Sequence, residues 1–294
     1  MIKIAGELRR DEPMAAHTSF RIGGPADLFA APANLAEATE IIALCARESV
    51  PCFFLGGGTN LLVSDRGIRG VVLDLTRLSG FEAEGTIVHA QGGTPVSELS
   101  DFALSRGLAG LEFAHALPGS VGGAVWMNAR CYDAEIADVL AWADCLEPGR
   151  PVRRYQMNRS DWEYKRSPFQ QGGAVILRAA FALSPGDPRR MGELMRDHRQ
   201  DREKKGHFLF PCAGSVFKNN RAFGAPTGKL VDSLGLKGRR IGGAQIAPFH
   251  GNIIINPGGA SAQDVRALVE LVEDEVRRGL GFSLEREVIM AGDW

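Results

Sequence analysis

The chain has 294 residues, with 34 lysines and arginines against 35 aspartates and glutamates and 45% hydrophobic residues, a globular composition with room for two or three cores. That charge balance leaves no basic surface to drive sequence-independent binding of nucleic acid, and no apolar run is long enough to cross a bilayer. Residues Met1 to Arg10 lack the apolar core of a signal peptide, so a cytoplasmic protein is expected, with neither nucleic acid nor membrane as partner.

In chain order, Asn34-Leu-Ala-Glu37 has the form of a capping box, and Ile41, Ile42, Leu44 and Cys45 keep helical spacing to about residue 48. Pro51 to Leu55 is a β-prone run that closes on Gly56-Gly57-Gly58-Thr59-Asn60-Leu61, and Val71 to Leu75 resumes as a strand. Together these make a first α/β module over 1–80. A strand over 86–91 and a helix over 95–105 follow, then a second glycine-rich run: Pro118, Gly119 and Ser120, then Gly122 and Gly123, ending at Asn128. Strands are expected over 139–146 and 174–183. A charged helix over 188–206 closes the second module, 81–206. In the third, 207–294, a short helix is expected over 228–235 and a strand over 252–256. Ser261-Ala-Gln-Asp264 then caps an amphipathic helix carrying Val265, Leu268, Leu271, Val272 and Val276.

Cys45, Cys52, Cys131, Cys145 and Cys212 form no Cys-x-x-Cys pair and read as buried free thiols, and six scattered histidines give no metal-ligand spacing. No metal is expected. The two glycine runs carry the chemistry. Backbone N–H groups approach a phosphate only where side chains are absent, and consecutive glycines supply that access together with positive φ. Neither run ends in a P-loop lysine, and neither matches the Rossmann fingerprint. The cofactor they suggest is bulky and phosphate-bearing.

Three strings resemble one family: His17-Thr-Ser-Phe-Arg21-Ile-Gly-Gly-Pro-Ala-Asp27, Leu55 to Asp65, and Leu117 to Ala129. The likeness continues through Ala213-Gly-Ser-Val-Phe-Lys-Asn219, Gly228-Lys-Leu, Arg240 to Gln245, His250, Asn252 and Leu284 to Val288. In collinear order over nearly the whole chain, they are similar to the UDP-N-acetylenolpyruvoylglucosamine reductase family. With no tyrosine after Tyr164, the chain resembles the type without the insertion between flavin and substrate domains.

The resemblance implies an α+β protein. Two subdomains form an FAD-binding fold of the vanillyl-alcohol-oxidase type and hold FAD noncovalently, and a C-terminal α+β domain binds substrate. It implies NADPH as the reductant and reduction of an enolpyruvyl UDP-N-acetylglucosamine to UDP-N-acetylmuramate, a step in peptidoglycan precursor synthesis. By the same likeness, cofactor contacts fall on Arg21, on Gly56 to Leu61, on Pro118, Gly119, Ser120, Gly122 and Gly123, and on Asn128. Substrate contacts fall on Tyr164, Lys205 and Asn219. The proton donor falls on Ser215, assisted by Glu287.

A cation belongs at the position where the family has Tyr-Arg-x-Ser. Here the string is Tyr164-Lys165-Arg166-Ser167, so Lys165 takes the place by register and Arg166 by a one-residue shift. Lysine acts there as a point charge without the guanidinium fork. Arg130 also departs from the family, where a small residue is usual. Two other readings stay open at this level: an FAD-dependent alcohol or sugar oxidase of the same fold, and a catalytically inactive protein that binds UDP-sugar or flavin.

Overall fold

A computed structural model describes residues 4–294. Its chain gathers into two compact units. One holds the residues up to Arg10, Leu28–Gly57 and Gly70–Asp201, and the other holds Asp11–Asp27, Gly58–Arg69 and Arg202–Trp294.

In the first unit, helix α1 (Leu35–Arg47) begins where the Asn34 side chain accepts the Glu37 amide at 2.9 Å. The Glu37 carboxylate does not return to Asn34 as a full capping box would; it accepts the Ala33 amide at 2.9 Å. Ala38, Ile41, Ile42 and Cys45 form the buried stripe of α1, in one cluster with Val71, Leu73, Leu146 and Val175. Strand Cys52–Leu55 runs parallel to Ile68–Asp74, Cys52 opposite Val71 and Leu55 opposite Asp74, so the first glycine run starts at a strand's carboxyl end. The sheet order is 7–13, 25–31, 68–74, 52–55.

A second sheet of the same unit is antiparallel, in the order 153–156, 140–146, 175–182, 87–91, 81–84. Val88, Ala90, Ala143, Cys145, Ala179 and Phe181 share one core with Leu99 of α2 (Val96–Ser105) and with Val121 and Val125 of α3 (Val121–Met127). Strands Glu7–Pro13, Phe81–Glu84 and Arg153–Gln156 carried no signal in the sequence. Each is an edge strand with nearly every side chain in solvent or half-exposed, so no apolar alternation marks it. The charged helix α4 (Pro188–Lys204) buries Met191 and Met195 but leaves Leu194 45% exposed.

In the second unit a three-stranded antiparallel sheet (240–241, 244–246, 254–255) shares a core with α6 (Ala262–Leu280) through Val265, Leu268, Val269, Val272 and Val276. Phe20, Ile22 and Leu62 complete that core. The expected strand over 252–256 is regular only at Ile254–Ile255. Leu61–Val63 pairs in parallel with Ile289–Ala291, which places the end of the first glycine run beside the C-terminal segment. A short helix, α5 (Thr227–Ser233), lies where 228–235 was expected.

All five cysteines are free thiols, but only Cys45 and Cys145 are buried as expected; Cys52, Cys131 and Cys212 are half-buried. Among the described residues no helix is long and apolar enough to cross a membrane.

The start of α6 is over-determined. Ser261 Oγ accepts the Asp264 amide at 3.0 Å and Asp264 accepts the Ser261 amide at 3.0 Å, while Asp65 accepts those of Ala262 and Gln263 at 2.8 and 3.0 Å. The bond from the Ser261 amide, with that from Gly243, holds the Asp264 carboxyl below its ordinary value. Its stabilisation is therefore present at neutral pH and is lost as pH falls through the lowered folded value. Ser261→Ala should cost about 1 kcal/mol in urea unfolding at pH 7, and an unchanged midpoint would show that Asp65 alone suffices.

Candidate functional site

In the first unit the two glycine runs meet backbone to backbone. A Cβ on Gly56 would lie 2.2 Å from Ser120 Oγ, and one on Gly57 would lie 2.8 Å from Gly119 Cα. Gly119 has φ +111°, which only glycine adopts without strain. Among the described residues, no acceptor is placed for the amides of Gly56, Gly57, Gly119 and Ser120. Unpaired amides from two abutting turns form an anion-binding nest, and this cradle fits a cofactor that carries a diphosphate.

The rest of the second run has other duties. The Gly122 amide donates to Gly92 O at 2.7 Å and that of Gly123 to Ser120 Oγ at 3.2 Å, so neither is offered to a ligand. At Gly122 a Cβ would meet Gly92 O at 3.0 Å and Ile176 O at 3.1 Å. Close packing is what requires glycine there.

Asn128 also differs from its expected role. It is fully buried at the end of α3 with φ +46°, its Oδ1 accepts the Ala137 amide at 3.1 Å and its Nδ2 donates to Glu163 O at 2.9 Å. It thereby anchors the turn Glu163-Tyr164-Lys165-Arg166, which is closed by Arg166 N donating to Glu163 O at 3.0 Å and Glu163 N to Arg166 O at 3.3 Å. Within that turn Lys165 has φ +57°, a left-handed conformation that costs a lysine about 1–2 kcal/mol. Gln170 Nε2 donates to Lys165 O at 3.3 Å and to Trp126 O at 3.0 Å, and Ser167 Oγ donates to Trp126 O at 2.6 Å.

Lys165 is half-buried while Tyr164 and Arg166 are exposed, and Arg166 pairs with Glu163 at 3.5 Å. The Arg130 guanidinium lies 5.9 Å from the Tyr164 ring centre. It is held by Glu135 at 3.3 Å, and Glu135, 3% exposed in its side chain, also takes Arg159 at 2.7 Å.

In the second unit, Gly58 has φ +61° and a Cβ there would strike His17 O at 2.0 Å. The Ser19 amide donates to Gly58 O at 3.0 Å. Arg21 is exposed with φ +55°, and its amide donates to Thr18 O at 3.0 Å. Asn60 Nδ2 donates to Glu287 O at 3.0 Å, and Ile289 N donates to Asn60 O at 3.0 Å. Thr59 is half-buried beside Asn60, and Leu61 is buried.

Ser215 begins a short extended ribbon, pairing with Ile253 on one side, while Phe217 pairs with Arg286 on the other. Glu287 N donates to Val216 O at 2.7 Å, so Ser215 and Glu287 flank the same residue. The hydroxyl of half-buried Ser215 has no partner among the described residues. Gly214 before it has φ +71° and nothing within 4 Å of where its Cβ would be.

Asn219 Oδ1 accepts the Thr227 amide at 2.9 Å at the start of α5. Lys205 is exposed just past α4. Within the first unit, then, the expected site residues form the glycine cradle and the lysine turn; within the second, Asn60, Ser215 and Glu287 form one cluster. The holding roles of Gln170 and Glu135 had no signal in the sequence.

The family model described as the C-terminal domain of UDP-N-acetylenolpyruvoylglucosamine reductase matches residues 204–291, and one described as an FAD binding domain matches residues 26–150. The UDP-N-acetylenolpyruvoylglucosamine reductase of Treponema denticola is 43% identical over 98% of this chain and 95% of its own. The chain belongs to this reductase family. The Heliobacterium modesticaldum reductase is 40% identical over 98% of this chain and 92% of its own. The crystal structure of the reductase (MurB) of Thermus caldophilus covers 98% of this chain and 100% of that one, with a TM-score of 0.82 and 30% identity. The fold is accordingly the family's α+β FAD-binding fold in two subdomains with a C-terminal domain.

Since the cradle exists only without side chains at its contact, Gly57→Ala should lower FAD retention at least tenfold on gel filtration while leaving the far-UV circular dichroism unchanged. Full retention would show that the two turns have room to part.

Proposed function

We propose that the protein is a flavoenzyme that uses NADPH to reduce enolpyruvyl UDP-N-acetylglucosamine to UDP-N-acetylmuramate, a step in peptidoglycan precursor synthesis. The observation that carries this reading is the full-length identity to reductases of that name. It is supported by the unpartnered Ser215 hydroxyl beside Glu287. We assign three modules, 1–80, 81–206 and 207–294, on apolar clusters led by Ile42 and Leu73, by Leu99 and Phe181, and by Leu268 and Val272, the last of which also takes in Phe20, Ile22 and Leu62.

FAD, when bound, would supply the hydride chemistry. The residues that would hold it are Gly56, Gly57, Gly119 and Ser120 through their amides, with Gly58, Thr59 and Asn60 continuing the first run. Hydride arrival at one alkene carbon leaves an electron pair on the carbon that bears the carboxylate. Ser215 Oγ–H donates the proton that makes the new C–H bond there, and the oxygen regains a proton from solvent. Lys165, set by a strained turn and half-buried, is the cation that stabilises the enolate, in preference to the exposed Arg166. Glu287 borders the serine and assists the transfer. Lys205, Tyr164 and the Asn219 amide hold the UDP-sugar.

The purified protein should be yellow, should bleach with NADPH and should recover its colour when the enolpyruvyl substrate is added. A colour restored only by oxygen would favour the oxidase reading. Ser215→Ala is expected to leave reduction of the flavin by NADPH within about twofold of wild type and to slow reoxidation by substrate by a factor on the order of 10²–10⁴; equal losses in the two half-reactions would remove the serine from its role. Lys165→Gly relieves the left-handed backbone, so unfolding stability should hold or rise by up to about 1 kcal/mol, while kcat falls at least tenfold. If Lys165→Gly keeps its kcat and Arg166→Ala loses it, the cation is Arg166.

A further inference from the structure

We propose that Asn252 is the positioning residue that aims the Ser215 hydroxyl, an inference that rests on the proton-donor role proposed above. Asn252 is 3% exposed, and a buried amide must find its partners inside the protein. Its side chain acts as an extra peptide unit. Oδ1 accepts from Phe217 N at 3.0 Å and Nδ2 donates to Phe217 O at 2.8 Å, while its main-chain oxygen accepts from Val216 N at 2.9 Å. One residue thus engages three backbone groups of the two residues that follow Ser215.

The fourth group, Val216 O, lies on the opposite edge, where it accepts from Glu287 N at 2.7 Å and Val288 N at 3.2 Å. No backbone polar group of the Val216–Phe217 pair is left to solvent. The amide of Asn252 itself donates to His250 Nδ1 at 3.2 Å, so the clamp has its own support.

The need for such a clamp follows from what precedes the serine. Gly214 is left-handed with open space where its Cβ would stand, so no side chain before Ser215 steers it, and its direction is set by the bridge to Ile253 and by the bonds that follow it. A misplacement of about 1 Å at a reacting group costs on the order of 10²-fold in rate. Holding the two following residues on both edges is what keeps the hydroxyl in register. An ordinary structural asparagine would stabilise the fold without distinguishing the half-reactions.

Asn252→Asp keeps the acceptor for Phe217 N and replaces the donor to Phe217 O with an oxygen. In the FAD-loaded protein, NADPH should reduce the flavin within twofold of the wild-type rate, and the enolpyruvyl substrate should reoxidise it ten- to a hundredfold more slowly. Combined with Ser215→Ala, the substitution should add less than threefold to the loss. Equal slowing of both half-reactions, or losses that multiply in the double variant, would overturn the proposal.

A second measurement needs no variant. In the wild-type protein the amides of Val216 and Phe217 should exchange with deuterium as slowly as the core of α6, and rapid exchange there would also overturn it. If the wild-type enzyme shows no reoxidation by the enolpyruvyl substrate at all, the failure belongs to the functional reading and not to the asparagine.

Discussion

Two turns in this protein touch through their main chains, and the closeness of that touch sets the rest. Gly57 sits over Gly119 at a separation that a single methyl group would close. The contact has two effects at once. It joins the carboxyl end of a parallel strand to the entry of a helix packed on a different sheet, and it leaves the local amides with no acceptor among the described residues. Stability and ligand affinity are thus drawn from the same few atoms. The glycines pay maximal conformational entropy on folding, and the apolar clusters on either side offset that cost.

The surrounding polar groups follow one pattern. Where a chemically active side chain is expected, the protein fixes the main chain beside it with a buried amide. Asn128 does so for the Glu163–Arg166 turn, and Asn252 for the ribbon after Ser215. Such amides are bonded at both ends, which is the condition under which a buried polar group adds rigidity without a desolvation penalty. The left-handed Lys165 shows the complementary side: unfavourable torsion persists because the neighbouring bonds determine it.

Much of this was readable in the sequence, for reasons that differ by element. Helices α1 and α6 announced themselves through caps and a 3.6-residue apolar stripe, and the strands 52–55 and 175–182 through short, largely apolar runs, because their burial is written in side-chain type. The edge strands 7–13, 81–84 and 153–156 were not readable, since pairing on one side only leaves the other in water and demands no pattern. Glycine clusters showed that a close approach exists but not which amides it leaves unpaired. Gly122 and Gly123 look like Gly56 and Gly57 in sequence and behave oppositely. The roles of Asn60 and Asn128 depended on partners more than thirty residues away, which no local window contains.

The way the chain threads its two units carries a further consequence. The family model for the C-terminal domain begins at residue 204, yet the apolar cluster of that unit contains Phe20, Ile22 and Leu62. The stretch inherited as a block is therefore not the stretch that buries itself as one. A ribosome releases Phe20 and Ile22 about 250 residues before Val276, so they wait with their rings and branches in water until Val265 to Val276 emerge. Closure of such a distant loop is slow compared with local helix formation, and during that interval the nascent polypeptide presents sticky surface that a chaperone can shield.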